Sequence, residues 1–450
     1  MARRVAAVDW VTFEDELVAG VVEKVTERAG TGERLYAAGL AEIYAETDSV
    51  IRLPMLGAVS HDEVAADDAL LWSVPDWKTQ WFEWLPEDRW QHWEQKLTYE
   101  AGRSSTLHWN RTYARFLTVL TRVCKRARKQ LLAAGVTDRH FAVVLLTDDD
   151  DEERLLRRIL SERELYRLFP GYVQANAWKA EMEAKEPADR AARYVQALND
   201  WEGPIGPENA ELALRELGPI AHPALIDLLS HGPERWKAAK LLADIGHPTD
   251  EVIAALTRAL RHTTGADQHW TAAALSRLNR LEVVLSAPGL PTGVIVDAVA
   301  APYTTFRDHA VTPPLLTYDP LERFLADHPQ LRDAISERLR PGTSYCTIRA
   351  EEVGVATDAL RSRWPVVRRH AVCVLGERAL GAAVGRQVIP HLADIVANDP
   401  DATNRRLAIL SLQWWKRDAR HCADTVRKAL HDPDPAVRAT AQRWLDELNQ

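Results

Sequence analysis

In the second half of the chain one short pattern keeps returning. An alanine is followed four residues later by leucine at Ala213/Leu217, Ala238/Leu242, Ala274/Leu278, Ala371/Leu375, Ala408/Leu412 and Ala441/Leu445. Each unit continues into a second amphipathic stretch, such as PALIDLL, EVIAALTRAL, QVIPHLADIV or CADTVRKAL. Residues four apart share one face of a helix, and the small alanine lets two helices approach closely. A single helix pair cannot bury its apolar stripe alone, so the pattern requires successive pairs to stack. The stretch Asp432-Pro-Asp-Pro435 before AVRATA ends one helix and starts the next, because proline at a first helical position has no N–H to leave unsatisfied. Residues 279–370 hide the pattern, and enlarged or degenerate units are expected there.

An arginine stands three residues before the alanine in four units, as Arg235, Arg368, Arg405 and Arg438. Its expected partner is an acid or carbonyl of a neighbouring loop. At these residues the chain resembles HEAT-repeat proteins. DPDPAVRATAQRWL and RWPVVRRHAVCVLGE look like the first helix of such a repeat, and LALRELGPIAHPALIDLL looks like a whole helix-turn-helix unit. The resemblance covers roughly residues 205–450. It implies an all-α solenoid and leaves activity open, since most members are binding scaffolds and a minority are enzymes.

The first part reads differently. Residues 12–29 have helical spacing (Phe13, Leu17, Val21, Val25), ERLYAAGLAEIYAE and SVIRLPMLGAV read as two strands around a turn, a long helix is expected from about Asn110 to Ala134, and HFAVVLLT reads as a buried strand. The expected organisation is therefore an α+β domain over residues 1–171, a helical and Pro/Gly-containing hinge over 172–205, and the HEAT-like solenoid over 206–450. LLWSVPDW (70–77), the paired strands before it and LSERELYRLFPGY (160–172) resemble a bacterial domain-of-unknown-function family, number 4303, which carries no established chemistry. The acidic run Asp148 to Glu153 reads as a helix start with Thr147 as N-cap, its carboxylates meeting the positive end of the helix dipole.

The sequence WKTQWFEWLPEDRWQHW places five tryptophans between residues 77 and 93. Trp77, Trp81 and Trp84 have the spacing of one helical face. Pro86 then ends that helix, and Trp90 and Trp93 lie a turn apart on a second one. Packing of these rings into a core is the expectation, since burying each is worth several kcal/mol at about 25 cal/mol per Å². The alternative is an exposed aromatic anchor for a partner.

Composition narrows the function classes. The net charge of −9 excludes a wholly basic nucleic-acid binder. Cys124, Cys346, Cys373 and Cys422 are scattered, which argues against zinc or iron–sulfur sites and against a disulfide framework, and suits a reducing cytosol. No uncharged run is long enough to span a bilayer. The common catalytic signatures are absent, including the nucleophile elbow, the phosphate loop, the HExxH zinc motif and the dinucleotide fingerprint. No metal or cofactor is expected.

What remains is a reading of surfaces. Residues 361–450 hold 15 basic and 10 acidic residues, a local excess of +5. Arg361, Arg363, Arg368, Arg369, Arg405 and Arg406 lie at equivalent places in neighbouring repeats; scattered, solvated arginines of an Arg-biased chain are the expectation, and a basic ridge aligned by stacking is the alternative. Trp414, Trp415, Lys416, Arg417, Arg420 and His421 cluster at the end of one repeat helix, where adjacent tryptophans point about 100° apart, one inward and one outward. The leading expectation is a non-catalytic cytoplasmic scaffold that holds another protein, as toxin-neutralising partners do by analogy. The alternative is a nucleic-acid binder or a HEAT-like glycosylase for alkylated bases, with Trp364, Trp415, Arg369 and Arg405 in its surface.

Overall fold

The computed structural model describes residues 7–47, 49–67, 70–103, 106–147, 152–201 and 203–448. The chain divides into two compact units, 1–178 and 179–450.

The first unit contains α1 (Trp10–Ala29), β1 (Leu35–Ala41), β2 (Met55–Ser60), α2 (His61–Ala66), β3 (Thr79–Trp81), α3 (Glu87–Ala101), α4 (Thr106–Ala133), β4 (Ala142–Leu145), α5 (Glu152–Ile159), α6 (Glu162–Leu168) and α7 (Gly171–Glu183), and the division falls inside α7. Its sheet has strand order β3-β2-β1-β4. The β1/β2 and β2/β3 pairs are antiparallel, whereas β4 runs parallel to β1. β4 is buried at every position, as its uninterrupted apolar run requires. Residues 148–151 of the acidic run lie outside the described residues. α5 begins at Glu152, whose carboxylate accepts the Thr147 backbone N–H at 3.0 Å, while the Thr147 hydroxyl is buried without a partner among the described residues.

The first three tryptophans of the aromatic stretch do not share a helix. Residues 74–76 form one 3-10 turn, and residues 79–81 form the edge strand β3, with Trp81 opposite Leu56. Pairing to β2 therefore replaces the helix that an i, i+4, i+7 spacing suggests. Trp90 and Trp93 do lie one turn apart on α3. Trp77, Trp84, Trp90 and Trp93 are all buried and Trp81 is half-buried. Three indoles donate their N–H inside the unit: Trp77 to the Leu70 carbonyl at 2.6 Å, Trp84 to the Pro54 carbonyl at 2.8 Å and Trp93 to Glu16 Oε2 at 2.7 Å. Four of the five tryptophans are therefore core, whereas Phe82 between them is exposed. Gly39 and Gly57 lie opposite one another on β1 and β2, and Trp77 and Val74 cover both; a Cβ at Gly57 would stand 2.7 Å from Val74 Cγ1 and 2.9 Å from Trp77 Cε3. Trp72 stacks on Phe169 with centroids 4.4 Å apart and donates to the Leu168 carbonyl at 2.9 Å, which joins the 70–77 stretch to the 160–172 stretch.

The second unit is helical among its described residues. Its helices are α8 (Pro187–Ala197), α9 (Pro207–Leu217), α10 (His222–His231), α11 (Arg235–Ile245), α12 (Asp250–His262), α13 (Gly265–Arg277), α14 (Leu281–Ser286), α15 (Thr292–Ala300), α16 (Asp319–Asp327), α17 (Arg332–Arg338), α18 (Val353–Ala359), α19 (Pro365–Val374), α20 (Ala382–Asn398), α21 (Ala402–Trp414), α22 (Ala423–Lys428) and α23 (Pro435–Leu448). Five alanines of the repeated pattern fall on first helices of pairs, α9, α11, α13, α19 and α21, and the sixth falls on α23, the last helix among the described residues. These helices form a stacked row, α9 on α11 on α13 on α15, and α19 on α21 on α23, while α8, α10 and α12 stack alongside. The seam alanines Ala238, Ala274, Ala371, Ala408 and Ala441 are buried. At the first pair the buried residues are instead Ala210 and Leu214, with Ala213 and Leu217 only half-buried.

Residues 279–370 hold shorter helices, several 3-10 turns and an irregular run at 308–318. The apolar core of the unit forms two clusters that meet at α15. Val294 and Ala298 belong to the earlier cluster, and Val296, Val299 and Ala300 to the later one.

Candidate binding site

The geometry of the repeated arginines decides which of them can meet a partner. Arg368 on α19 reaches into the next pair and grips Asp399, with Nε to Oδ2 at 2.7 Å and Nη2 to Oδ1 at 3.0 Å. Arg405 on α21 repeats this with Asp432, at 2.7 and 2.8 Å. In each case Nη1 donates to the carbonyl six residues earlier, Ser362 for Arg368 and Asp399 for Arg405, both at 2.8 Å, and Arg438 donates to the Asp432 carbonyl at 2.7 Å. The acids work twice, since Asp399 Oδ1 accepts the Asp401 N–H and Asp432 Oδ1 accepts the Asp434 N–H, both at 2.8 Å. Asp401 and Asp434 then cap α21 and α23. The Arg405 guanidinium holds the Asp432 carboxyl below the usual carboxylate range.

This arrangement withdraws Arg368 and Arg405 from the alternative of a basic ridge, while Arg361 and Arg363 are exposed. Arg368 is buried, and Arg405 is spent on a two-point ion pair that is largely shielded from solvent. Arg369 donates to the Ser336 carbonyl and hydroxyl of α17 at 2.8 and 2.9 Å, and Arg406 is half-buried. Arg332 and Arg363 both lie 4.6 Å from the centre of the Trp364 ring. A buried two-point pair has no charge to offer a distant phosphate or carboxylate.

The cluster at the end of α21 divides in two. Trp415 is fully buried: its indole N–H donates to the Leu375 carbonyl at 3.0 Å, and its ring lies so close to Gly385 that a Cβ there would stand 2.7 Å away. Trp414 points the other way and is 66% exposed. The chain turns sharply at Lys416, whose φ of 48° is left-handed. Lys416 is half-buried, whereas Arg417, Arg420 and His421 are exposed around that turn. The candidate surface thus reduces to one exposed indole followed in the chain by exposed Arg417, Asp418, Arg420 and His421.

Residues 389–450 match the family model for HEAT repeats. The matched HEAT repeats contain the Arg405–Asp432 pair, both tryptophans and the turn at Lys416. No curated protein matches the chain. Among the described residues, no helix is long and apolar enough to cross a membrane.

A second feature of the same unit was not visible in the sequence. A cavity of about 520 Å³ opens where the repeats are interrupted, between the ends of α13 and α15, α14, the irregular run 308–318 and α16. Two buried ion pairs frame it. Arg277 donates through Nη2 to Asp244 at 2.6 Å, and Arg307 pairs with Glu352 while donating to the Thr347 and Pro314 carbonyls at 2.9 and 2.8 Å. Behind the Tyr303 wall lies a satisfied polar core. Tyr318 donates its O–H to His370 Nδ1 at 2.7 Å, and His370 Nε2 donates to the Tyr303 carbonyl at 2.9 Å, which fixes the neutral tautomer. Burial without a counter-charge lowers the His370 pKa to about 4 and raises that of Cys346, 3.7 Å away, to about 12.

Among the described residues no cluster of His, Cys, Asp and Glu has the geometry to hold a metal ion.

Proposed function

We propose that the helical unit is a non-catalytic scaffold that binds another protein, and that the partner seats on the surface around Trp414. One observation carries this reading. A large aromatic ring stands in solvent within the matched HEAT repeats, anchored by the buried Trp415 beside it and flanked by Arg417, Arg420 and His421. Exposed Trp and Arg on a rigid element are the residue types that supply most of the energy of protein interfaces. HEAT repeats commonly mediate protein interactions. The partner class, including the regulatory or toxin-neutralising kind suggested above, is part of the proposal.

The test is affinity capture with the full chain against the variant Trp414→Ala/Arg417→Glu/Arg420→Glu. The expected result is a defined protein retained by the wild type and lost in the variant at an unchanged melting temperature. An identical set of captured proteins overturns the proposed face. Retention of duplex DNA that falls steeply with added salt points instead to the nucleic-acid reading.

A further inference from the structure

The cavity at the interruption of the repeats has the architecture of a small-ligand site. Its volume lies within the range of pockets that enclose most of a small molecule, and apolar walls with a few fixed polar groups are the usual composition of such pockets. Leu281, Leu285, Val299, Leu315, Leu316 and Phe324 contribute hydrocarbon walls. Leu316 and Phe324 are buried, whereas Leu315 and Leu285 are 64% and 40% exposed. The apolar lining therefore continues outward to solvent.

The wall carries three arginine donors, Arg277, Arg307 and Arg323, and two carboxylates, Glu282 and Asp327. Arg277 and Arg307 both line the cavity, but the carboxylates that pair with them, Asp244 and Glu352, do not. The acids lie behind the guanidiniums and hold them in place. Arg277 is buried, and among the described residues neither its Nε–H nor the Asp244 Oδ2 of its ion pair has a hydrogen-bond partner. Buried ion pairs cost desolvation, and here they fix the wall. The 308–318 run is pinned by Val311 N–H to the Asp244 carbonyl at 2.7 Å, by Arg307 to Pro314, and by Leu316 N–H to Glu352 Oε1 at 2.7 Å.

Charge selects among ligands. Three lining arginines (Arg277, Arg307, Arg323) face two lining acids (Glu282, Asp327), which leaves a lining charge of 3 − 2 = +1. A net charge this small suits a monoanion and disfavours a phosphate dianion. We propose that this cavity binds a small amphipathic monocarboxylate, with its hydrocarbon body between α14, α16 and the 308–318 run and its carboxylate at the Arg277 and Arg307 side. This site is independent of the Trp414 surface, so either assignment can fail alone.

The test is calorimetric titration of the full chain with decanoate, decanol and decyltrimethylammonium. Decanoate is expected to bind with one-to-one stoichiometry, decanol at least tenfold more weakly, and the cation not at all. Leu315→Asp and Leu285→Asp change exposed residues at the mouth and are expected to weaken decanoate at least tenfold with little change in melting temperature. Trp414→Ala is expected to leave decanoate binding unchanged. Absence of binding by decanoate, equal binding of decanoate and the cation, or indifference to both mouth variants overturns the assignment.

Discussion

Arg405 holds Asp432 through two parallel hydrogen bonds, and the same carboxylate caps the turn that starts the following helix. One acid thus joins two helix pairs and orients the entry to α23. Arg405→Ala leaves a largely buried carboxylate without its counter-charge, a change that costs about 3 kcal/mol. Urea denaturation should show that loss, and Arg405→Ala/Asp432→Ala should lose clearly less than the sum of the two single variants. Additive losses would mean that the pair does not couple the repeats.

The two tryptophans at the end of α21 should separate by stability. Trp415→Ala removes a fully buried ring and its hydrogen bond, and should cost about 3–5 kcal/mol. Trp414→Ala should stay within about 0.5 kcal/mol of the wild type, as expected for an exposed position. Thermal melts of both variants check the contrast.

In the first unit, Gly57→Ala pushes a Cβ against Val74 and Trp77 and should destabilise by about 1–3 kcal/mol. Val74→Ala in the same chain should return part of that loss, because the shortest clash is with a Val74 methyl. Chemical denaturation followed by Trp fluorescence reads both.

His370 predicts an acid-side weakening of the second unit. An unfolded histidine titrates near 6.5, whereas in the fold its pKa is lowered to about 4. Its contribution is therefore complete above pH 6.5 and declines as pH falls toward 4, because the unfolded chain takes up the proton first. The loss amounts to about 3 kcal/mol across that window. Melting temperatures from pH 7 to 4 should fall less steeply in His370→Asn than in the wild type.

Glu164 acts at lower pH. Hydrogen bonding to Arg128 and to Ser161 brings its carboxyl down to about 2. With a depressed folded pKa, its contribution is present above the unfolded value near 4.3 and is lost as pH falls toward 2. Glu164→Gln should flatten the stability profile over that interval.

How much of this was legible in the sequence differs from element to element. The Ala/Leu seam located six helices, because one buried face per helix leaves a period in the residues. At α9 the buried pair is Ala210/Leu214, three residues earlier than the seam Ala213/Leu217, since both pairs have the same spacing and only packing selects between them. The Asp-Pro-Asp signature at 432–434 revealed a helix start, and Arg438, six residues after the first acid, donates back to that acid's carbonyl. The Trp77–Trp84 spacing misled because pairing with β2 overrides a helical period. The cavity left no signal at all. Its walls come from short helices and an irregular run without periodicity, and its two buried arginines, Arg277 and Arg307, are 30 residues apart in the chain.

The junction at α15, where the two apolar clusters meet, has a consequence for how this unit tolerates change. A regular array spreads any alteration into its neighbours, because each layer is the template for the next. Where the layers lose their regularity, side chains around the hollow answer to fewer such constraints. Variation there can reshape the hollow while the flanking layers continue to assemble, so a fold built by repetition is freest to change at the place where repetition fails.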